Sequence, residues 1–400
     1  MQRRVVRSNV ATLAAKWHVP IEQGMRAEPV VANGVVFAGN VSGAIDALRA
    51  DDGKRIWSFV GTFQSWWKGA PTIRDGVLYA ADTGGYGFGG SRVAIDAQNG
   101  NLIWRRRFLG VHLPGAPLIH GDRFYEGQSA MDEGRGCQTA DHVVAVDIHD
   151  GSVVDRLSLT PPHTSGADVW SAPALDDDGA IYVGTGNPCE NDVPYETSNA
   201  ILKIATHPLR TQWVYQAIVN DTHDLDFGAT PNVVRDLVVE GGKNGLVYAL
   251  RRATGALVWK TDVHGPVLGS SATDGVRAYV PVQLDPTCGH AGCGAIVALD
   301  LSDGHVVWKA ATKFDRIFRE DGSVMFDDIG TLAPVTVTQD LVFAAHGDGV
   351  SVYDSRTGTE LWRWQGHQSI QAGIVVVDSG VYVAEIGPGS QLWCFTPGGR

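Results

Sequence analysis

The sequence predicts an all-β fold, an eight-bladed β-propeller, from three observations. Short runs rich in Val, Tyr and Phe recur between Gly or Asp-Gly turns, which indicates antiparallel strands joined by tight turns. No segment has a long apolar period of 3.6 residues, so little helix is expected. A Gly turn with a Trp four residues later also recurs, at intervals of 46–58 residues once variant units are included, and about four strands fit each interval, as in a propeller blade. The regular units are Gly53–Trp57, Gly100–Trp104, Gly255–Trp259, Gly304–Trp308 and Gly358–Trp362.

The number of units predicts how the ring closes. Seven units end between Trp57 and Trp362, and in the third of them Asp155 stands in place of Trp. An eighth begins at 371–395 and has no room for an outer strand. The N-terminal LAAKWHVP carries Trp17 in a matching context, so we expect this segment to supply the missing strand and to hide the strand edges of the ring. The whole chain of 400 residues is expected to be one domain.

Composition excludes several classes of protein. The chain is 44% hydrophobic and 19% charged with 49 glycines, as in a globular, turn-rich protein. Its formal net charge of -12 argues against nucleic acid or an anionic membrane as a partner, because such surfaces need clustered Lys and Arg. No apolar run approaches the length of a membrane span. The basic N-terminus lacks the apolar region of a signal peptide, and a mature chain is expected.

Three further stretches carry a resemblance to a known family. They are GADVWSAPALDDDGAIYVGTGNP (166–188), HDLDFGATP (223–231) and GGKNGLVYALRRATGALVWKT (241–261). With the Gly-turn-Trp unit, they resemble the quinoprotein alcohol dehydrogenases over essentially the whole chain, and most closely the polyvinyl-alcohol-dehydrogenase-like branch. The resemblance implies a periplasmic or secreted enzyme that oxidises an alcohol with pyrroloquinoline quinone (PQQ) and Ca²⁺. Some propellers with the Trp motif are cofactor-free scaffolds, which is the alternative, and a hydrolase or lyase is a weaker third interpretation.

The acidic stretch DTHDLDFGATP (221–231) carries the candidate base. The resemblance assigns this role to Asp226, the Asp directly before an aromatic residue. Hydride leaves carbon readily when the hydroxyl proton is removed at the same time, and a carboxylate within reach accepts that proton. The alternative is a turn aspartate at a strand end. Asp221 and Asp224 are expected to be solvated loop charges, and His223 a hydrogen-bonding loop residue.

The resemblance also implies a metal site. Asn187 in GTGNP would be a ligand together with Asp226, because Ca²⁺ takes oxygen ligands of this kind. The third ligand is expected to be Glu133, with Asp132 as the rival. For each, an ordinary turn residue is the alternative interpretation. Lanthanide-dependent relatives carry an additional Asp two residues after the base, and because that position is Gly228 here, calcium is the expected metal.

The cofactor implied is flat, aromatic and carboxylated. Trp170 matches the stacking tryptophan of the family, although a core Trp between blades is the alternative. Lys243 matches the basic residue beside the reactive carbonyls, and Lys68 a basic position in the second blade. Either could instead be a solvated lysine at a strand end. Ser129 is a weaker candidate for a carboxylate contact.

The chain departs from the family in two respects. It has no adjacent cysteine pair to cover the other face of the cofactor, and either Trp66 or Trp67 takes that place or the site is open on this side. It also has no Cys-x-x-Cys-His haem attachment sequence, so electrons would leave to a separate acceptor such as a cytochrome c. The GYGFGG stretch (85–90) is interpreted as a hairpin loop, since no helix follows. Short loops favour a secondary or bulky alcohol as substrate.

The five cysteines leave at least one unpaired. Within CGHAGC, a local Cys288–Cys293 disulfide in an oxidising compartment is favoured over a zinc site that would include His290. Two cysteines near the proposed metal ligands are candidates for a pair across blades, and one near the C-terminus is expected to be small and buried. These are Cys137 with Cys189, and Cys394.

Overall fold

The computed structural model is an all-β propeller of eight four-stranded antiparallel sheets, so the predicted fold class is confirmed. Within the described part of the chain the only helix is the 3-10 turn Val10–Thr12. No helix there is long and apolar enough to cross a membrane. The structure describes residues 4–61, 69–82, 90–108, 113, 115–129, 142–162, 164, 166–188, 195–219, 221, 223–285, 287, 293–312, 333–347 and 349–400.

The strands are numbered in chain order, and each blade is a meander from its inner to its outer strand. The N-terminal strand is β1, Leu13–Pro20. The first blade comprises β2 Val30–Ala32, β3 Val35–Gly39, β4 Ala44–Arg49 and β5 Arg55–Val60. The second comprises β6 Thr72–Arg74, β7 Val77–Asp82, β8 Ser91–Asp96 and β9 Leu102–Arg107. The third comprises β10 Leu118–His120, β11 Arg123–Gln128, β12 His142–Asp147 and β13 Val153–Ser158. The fourth comprises β14 Ala174–Leu175, β15 Ile181–Gly184, β16 Ala200–Thr206 and β17 Leu209–Gln216.

The remaining blades repeat this order. The fifth comprises β18 Asn232–Val234, β19 Leu237–Gly241, β20 Leu246–Arg251 and β21 Leu257–Asp262. The sixth comprises β22 Ala272–Thr273, β23 Arg277–Val282, β24 Ala295–Asp300 and β25 Val306–Ala311. The seventh comprises β26 Thr336–Val337, β27 Leu341–His346, β28 Gly349–Asp354 and β29 Glu360–Gln365. The eighth comprises β30 Val375–Val377, β31 Gly380–Ala384, β32 Gln391–Pro397 and, as its outer strand, β1.

Burial explains why the second and third strands of a blade differ in sequence from the fourth. Every residue of β27 (LVFAAH) and β28 (GVSVYD) is buried, because both faces of the sheet are covered. Such strands become near-continuous apolar runs. The outer strand β25 (VVWKAA) alternates between exposed and more buried positions, with Trp308 turned inward. The hydrophobic cores therefore lie between neighbouring blades.

The N-terminal strand closes the ring, as predicted. Strand β1 pairs antiparallel with β32, from Leu13 opposite Pro397 to Pro20 opposite Gln391. The Nε1 atom of Trp17 donates to the carbonyl of Ala50 in the first blade at 3.1 Å. In turn, the strand supplies the Leu13 carbonyl that accepts from Trp362 of the seventh blade at 3.0 Å. The first strand thus ties the seventh and first blades to the eighth.

Seven tryptophans on outer strands form a ring of contacts that we call the Trp girdle. Each donates its indole N–H to a backbone carbonyl of the next blade at 2.9–3.2 Å. All of these tryptophans except Trp362 face a turn glycine, because a side chain would clash there: a Cβ at Gly100 (φ +78°) would lie 2.8 Å from the Trp57 ring. At the third blade, Asp155 replaces Trp, and its Oδ2 accepts from the backbone N–H of Leu209 at 2.7 Å. The girdle members are Trp17, Trp57, Trp104, Trp213, Trp259, Trp308 and Trp362.

Of the predicted cysteine features, the structure describes two residues. Cys293 is buried and disulfide-bonded, and the pairing with Cys288 stays a prediction. Cys394 is buried on β32, as expected. The other residues of these predictions lie outside the described part of the chain, namely Cys137, Cys189, Cys288 and His290.

Candidate functional site

Four predicted site residues lie in connections at one end of the blades. Ser129 directly follows β11, and Trp170 lies between β13 and β14. Asp226 lies between β17 and β18, and Lys243 in the turn from β19 to β20. In an antiparallel meander, the turn from the second to the third strand and the connection to the next blade open at the same end. The third, fourth and fifth blades therefore present these side chains at one rim.

Asp226 is a buried carboxyl at this rim, only 2% exposed. The Nζ atom of Lys243 lies 2.7 Å from its Oδ1, and the Nε1 atom of Trp170 donates to its Oδ2 at 3.4 Å. Burial raises the pKa of Asp226 to about 7, against the lowering effect of the Lys243 ammonium, and the nearby Asp168 and Asp224 carboxylates add to the rise. The carboxyl thus titrates close to neutral pH, where a general base is most effective.

Lys243 bridges two carboxylates above an aromatic ring. Its Nζ lies 2.5 Å from Oδ1 of Asp224 as well as 2.7 Å from Asp226. The same atom is 4.8 Å from the centroid of the Trp170 ring, within the range of a cation–π contact. Burial lowers the pKa of Lys243, but the Asp226 and Asp224 charges outweigh this effect and raise it overall. Lys243 is therefore a charged ammonium whose position is fixed on three sides.

Asp221 organises the loop that carries the base. It is 5% exposed and accepts hydrogen bonds from Asn199 Nδ2 (3.1 Å) and from the backbone N–H groups of His223 (2.9 Å) and Leu225 (3.0 Å). The expectation that it is a solvated charge is wrong, because a tight loop leaves N–H groups that a short carboxylate satisfies. His223 also places its Nδ1 3.2 Å from Asp221, so its predicted hydrogen-bonding role is confirmed.

Asp224 is exposed in a loop, as expected, but it makes a contact that the sequence did not predict. Its side chain is 58% exposed, but it ion-pairs with Lys243. Its backbone has φ +60°, a left-handed conformation that Asp tolerates better than most residues. The sequence spacing gave no indication of this contact, because it depends on a turn 19 residues further along the chain.

Asp168 is a site residue that the sequence reasoning missed. Ser129 Oγ donates to its Oδ2 at 2.7 Å. Burial alternates from residue 166 to 170, so Asp168 and Trp170 project to the same side of the segment. Its Oδ1 occupies the space of a side chain at Gly186, where a Cβ would lie only 1.8 Å away. The sequence contained a signal for it, because an Asp two residues before Trp170 in an extended segment lies on the same face as that Trp.

Gly228 allows Trp170 to lie against the backbone. A Cβ at position 228 would be 1.8 Å from Cη2 of Trp170, so any larger residue would displace the indole ring. An aspartate at position 228 would therefore be incompatible with Trp170 in its present position. We call Ser129, Asp168, Trp170, Asp224, Asp226 and Lys243 the rim site.

The predicted metal ligands are only partly described. Asn187 lies beside the segment of Asp168, because its carbonyl accepts from Ala167 N at 3.0 Å and Gly186 N donates to the Asp168 carbonyl at 2.8 Å. Within the described ranges, no group of three or more His, Cys, Asp or Glu could hold a metal ion. The remaining predicted residues lie outside those ranges, namely Glu133, Asp132, Lys68, Trp66 and Trp67.

Fold and site together define an eight-bladed Trp-docked propeller with a charged site at one rim. The chain matches the family model described as "Outer membrane protein assembly factor BamB" over residues 2–194, 210–283 and 289–398, and it belongs to this PQQ-repeat family. The family resemblance inferred from the sequence is therefore confirmed.

Relatives include both enzymes and an assembly factor. Polyvinylalcohol dehydrogenase of Pseudomonas sp is 24% identical, and the match covers 89% of this chain and 64% of that protein, less than two thirds of its length. BamB of Escherichia coli (strain K12) is 25% identical over 77% of this chain and 73% of that protein. The solved quinohemoprotein alcohol dehydrogenase from Comamonas testosteroni is 16% identical, with a TM-score of 0.77 over 100% of this chain and 79% of that chain. That likeness establishes the fold alone.

Proposed function

We propose that the protein is a quinoprotein dehydrogenase that oxidises an alcohol, with Asp226 as the general base. One observation carries the proposal: a buried carboxyl with a pKa of about 7 lies between the Lys243 ammonium and the Trp170 indole. A buried carboxylate beside a like charge is costly to keep, and such groups cluster at functional sites. The relative named polyvinylalcohol dehydrogenase supports the same reaction class.

The rim site fits a flat, anionic quinone. Trp170 offers a half-buried aromatic surface, and Lys243 places an ammonium 4.8 Å from its ring. Ser129 adds a hydroxyl, and Lys68 would add a second cation. These residues would hold pyrroloquinoline quinone, which supplies the hydride acceptor when bound.

A divalent cation fits the charge of the rim site. Asp224 and Asp226 share the single Lys243 ammonium, so these two carboxylates keep an excess negative charge when both are ionised. Ca²⁺ would balance this charge with Asp226, Asn187 and Glu133 as ligands, since it prefers oxygen donors of this kind, and it would act as a Lewis acid. The absence of a side chain at Gly228 favours calcium over a lanthanide.

The residues of the chain have distinct tasks in this proposal. Asp226 accepts the hydroxyl proton of the alcohol while hydride departs from carbon. Burial keeps bulk water away from its carboxyl, and Trp170 and Lys243 fix its orientation from two sides. A secondary or bulky alcohol is the proposed substrate, and a separate acceptor such as a cytochrome c would take the electrons. The enzyme would act in the periplasm or outside the cell as a single domain.

Asp226→Asn tests the base directly. The variant keeps the size of the side chain and removes the proton acceptor, so turnover of the quinone- and calcium-loaded protein should fall about 100- to 10,000-fold. The measurement is the rate with an artificial electron acceptor at matched quinone occupancy. Asp236→Asn is the control, because Asp236 is an exposed carboxylate of the fifth blade that pairs with Arg251. Equal rates for Asp226→Asn and the parent would rule out this assignment.

Asn187→Ala tests the coupling of metal and quinone. Calcium charge should favour the quinone oxygens, so loss of one ligand is expected to weaken the binding of both. Calorimetric titration of the quinone with and without a chelator measures this coupling. If quinone affinity does not change in the variant or with the chelator, the proposed metal site is wrong.

A cofactor-free interaction scaffold is the second candidate. The family description and the BamB relative, of which the match covers 73%, favour it. The two functions differ in a simple binding test. A parent protein that binds no quinone in the presence of calcium would support the scaffold, whereas stoichiometric binding would support the dehydrogenase.

A further inference from the structure

We propose that Asp224 is a positioning residue that holds the Lys243 ammonium over Trp170 and prevents it from pairing with Asp226 alone. The catalytic part of this inference rests on the proposed function, whereas the position of Lys243 can be tested without it. Asp224 does not need to touch the alcohol or the quinone in this role. It acts through Lys243.

The contacts of Lys243 carry the inference. The two carboxylates approach its Nζ at 2.5 Å (Asp224) and 2.7 Å (Asp226). The Lys243 side chain is 14% exposed and that of Asp226 3%, whereas Asp224 reaches the group from the solvent side at 58%. An ammonium between two carboxylates is drawn toward both, and here its resting place is 4.8 Å from the Trp170 ring centroid.

The loop is built so that Asp224 makes this contact. Asp221 accepts the backbone N–H groups on both sides of Asp224, those of His223 and Leu225. Between these two anchored residues, Asp224 takes the left-handed conformation at φ +60°. Backbone strain of this kind persists only where the surrounding contacts fix it, and it is common at functional sites. The strain is thus coupled to the ion pair with Lys243.

Removal of the Asp224 charge should release Lys243. With one carboxylate left, the flexible stem of lysine lets the ammonium move toward Asp226 alone and away from the indole ring. A quinone stacked on Trp170 would then lose an ordered cation. We expect weaker quinone binding, with the alcohol KM unchanged once quinone is saturating, because Asp224 is not placed against the alcohol.

The experiment compares Asp224→Asn with the parent, with Asp224→Ala and with the control Asp236→Asn. Asn tolerates φ near +60° and matches the shape of Asp, so it removes only the charge, whereas Ala adds backbone strain. The readouts are the Lys243 position in ligand-free crystal structures and the affinity for pyrroloquinoline quinone with calcium. In both Asp224 variants, Nζ should lie beyond about 6 Å from the Trp170 centroid, and affinity should fall about 10-fold. The control should resemble the parent.

Two results would overturn the inference. One is a parent-like Lys243 position and quinone affinity in Asp224→Asn. The other is a defect confined to Asp224→Ala, which would assign the role to loop conformation instead of charge. If the parent binds no quinone, the proposed dehydrogenase fails, but the ligand-free crystal structures still decide whether Asp224 positions Lys243.

Discussion

The Trp girdle and the rim site differ in how their polar groups are paired. In the girdle, each indole N–H meets a neutral carbonyl at 2.9–3.2 Å, and the same contact recurs around the ring. At the rim site, one ammonium is shared by two carboxylates, burial raises the pKa of Asp226 to about 7, and Asp224 has a left-handed backbone. Buried charges and unfavourable backbone conformations reduce stability, and proteins keep them mainly at functional sites. The girdle serves stability, whereas the rim site is where we propose that the chemistry takes place.

Among changes to the Trp girdle, removal of residues 1–20 should lower the free energy of unfolding the most. The truncated chain loses β1, which exposes the edge of β32 and removes both the Trp17 indole and the Leu13 carbonyl from the girdle. Loss of one buried Trp alone costs about 3–5 kcal/mol, so the free energy of unfolding should fall by more than this.

Calorimetry of the truncated chain should show a broad transition at lower temperature, since the blades no longer unfold together. A full-length variant Trp17→Ala separates the docking contact from the strand, and its melting temperature should fall between those of the parent and the truncated chain. A truncated chain that melts within about a degree of the parent would contradict the closure mechanism.

Two buried glutamates at matching strand positions extend the comparison of paired and unpaired polar groups. Glu126 has an arginine partner, whereas Glu240 has no hydrogen-bond partner among the described residues. Glu126 on β11 and Glu240 on β19 each precede a Gly in the second strand of their blade, and both are nearly fully buried. Arg92 of the preceding blade donates its Nε to Glu126. The position matching Arg92 in the fourth blade is Ile201, and neither oxygen of Glu240 has a hydrogen-bond partner among the described residues.

Neutralising these two glutamates should change stability in opposite directions. Glu126→Gln leaves the Arg92 guanidinium, 4% exposed, without its carboxylate and should cost about 3–5 kcal/mol at neutral pH. Glu240→Gln removes an acid that gains nothing from ionising and should stabilise the protein at neutral pH. The free energies of unfolding in urea measure both. The same sign for the two variants would show that the missing arginine does not matter.

The effect of Glu240→Gln should depend on pH. Burial raises the pKa of Glu240 well above its ordinary value of 4.5. Above pH 4.5 the unfolded chain therefore loses a proton that the folded protein retains, and the stability of the parent falls by up to about 1.4 kcal/mol per pH unit until the folded pKa is reached. The variant lacks this slope. Its advantage over the parent should be near zero at pH 4 and largest at pH 8, and an advantage equal at both would contradict this account.

The difference between the two regions also explains what the sequence predicted. Trp57 and Gly100 are required by a repeated contact, so the spacing of this pair along the sequence indicates the blades, the ring and the closing strand. Asp224 and Lys243 belong to different connections of different blades, and their contact follows from the folded chain alone. The contact of Asp168 with Ser129 also follows from the folded chain alone, because the two residues belong to different blades. Only the position of Asp168 on the same face as Trp170 can be predicted from the sequence.

Substitution of Asp155 should have the smallest effect on the free energy of unfolding. At this docking position of the third blade, a hydrogen bond to Asp155 replaces the Trp contact of the other blades. Asp155→Ala removes the acceptor of the buried Leu209 N–H and should cost about 1 kcal/mol, because water can replace its other hydrogen bond, to the exposed Arg156 N–H, and no aromatic area is lost. Asp155→Asn keeps an acceptor oxygen and should retain most of the stability. Trp308→Ala, at an ordinary girdle position, is the reference and should cost about 3–5 kcal/mol.

Asp155→Trp completes this test, because it restores the common residue of the girdle. The facing turn of the fourth blade has Pro208 and Leu209, whereas the turns that face Trp57 and Trp259 have Gly100 and Gly304 packed under the indole. An indole at position 155 would therefore meet side chains where Trp57 and Trp259 meet a glycine backbone, and thermal melting should show destabilisation relative to the parent. A more stable Asp155→Trp protein would mean that the girdle depends on the Trp alone, and that the matching glycine is dispensable.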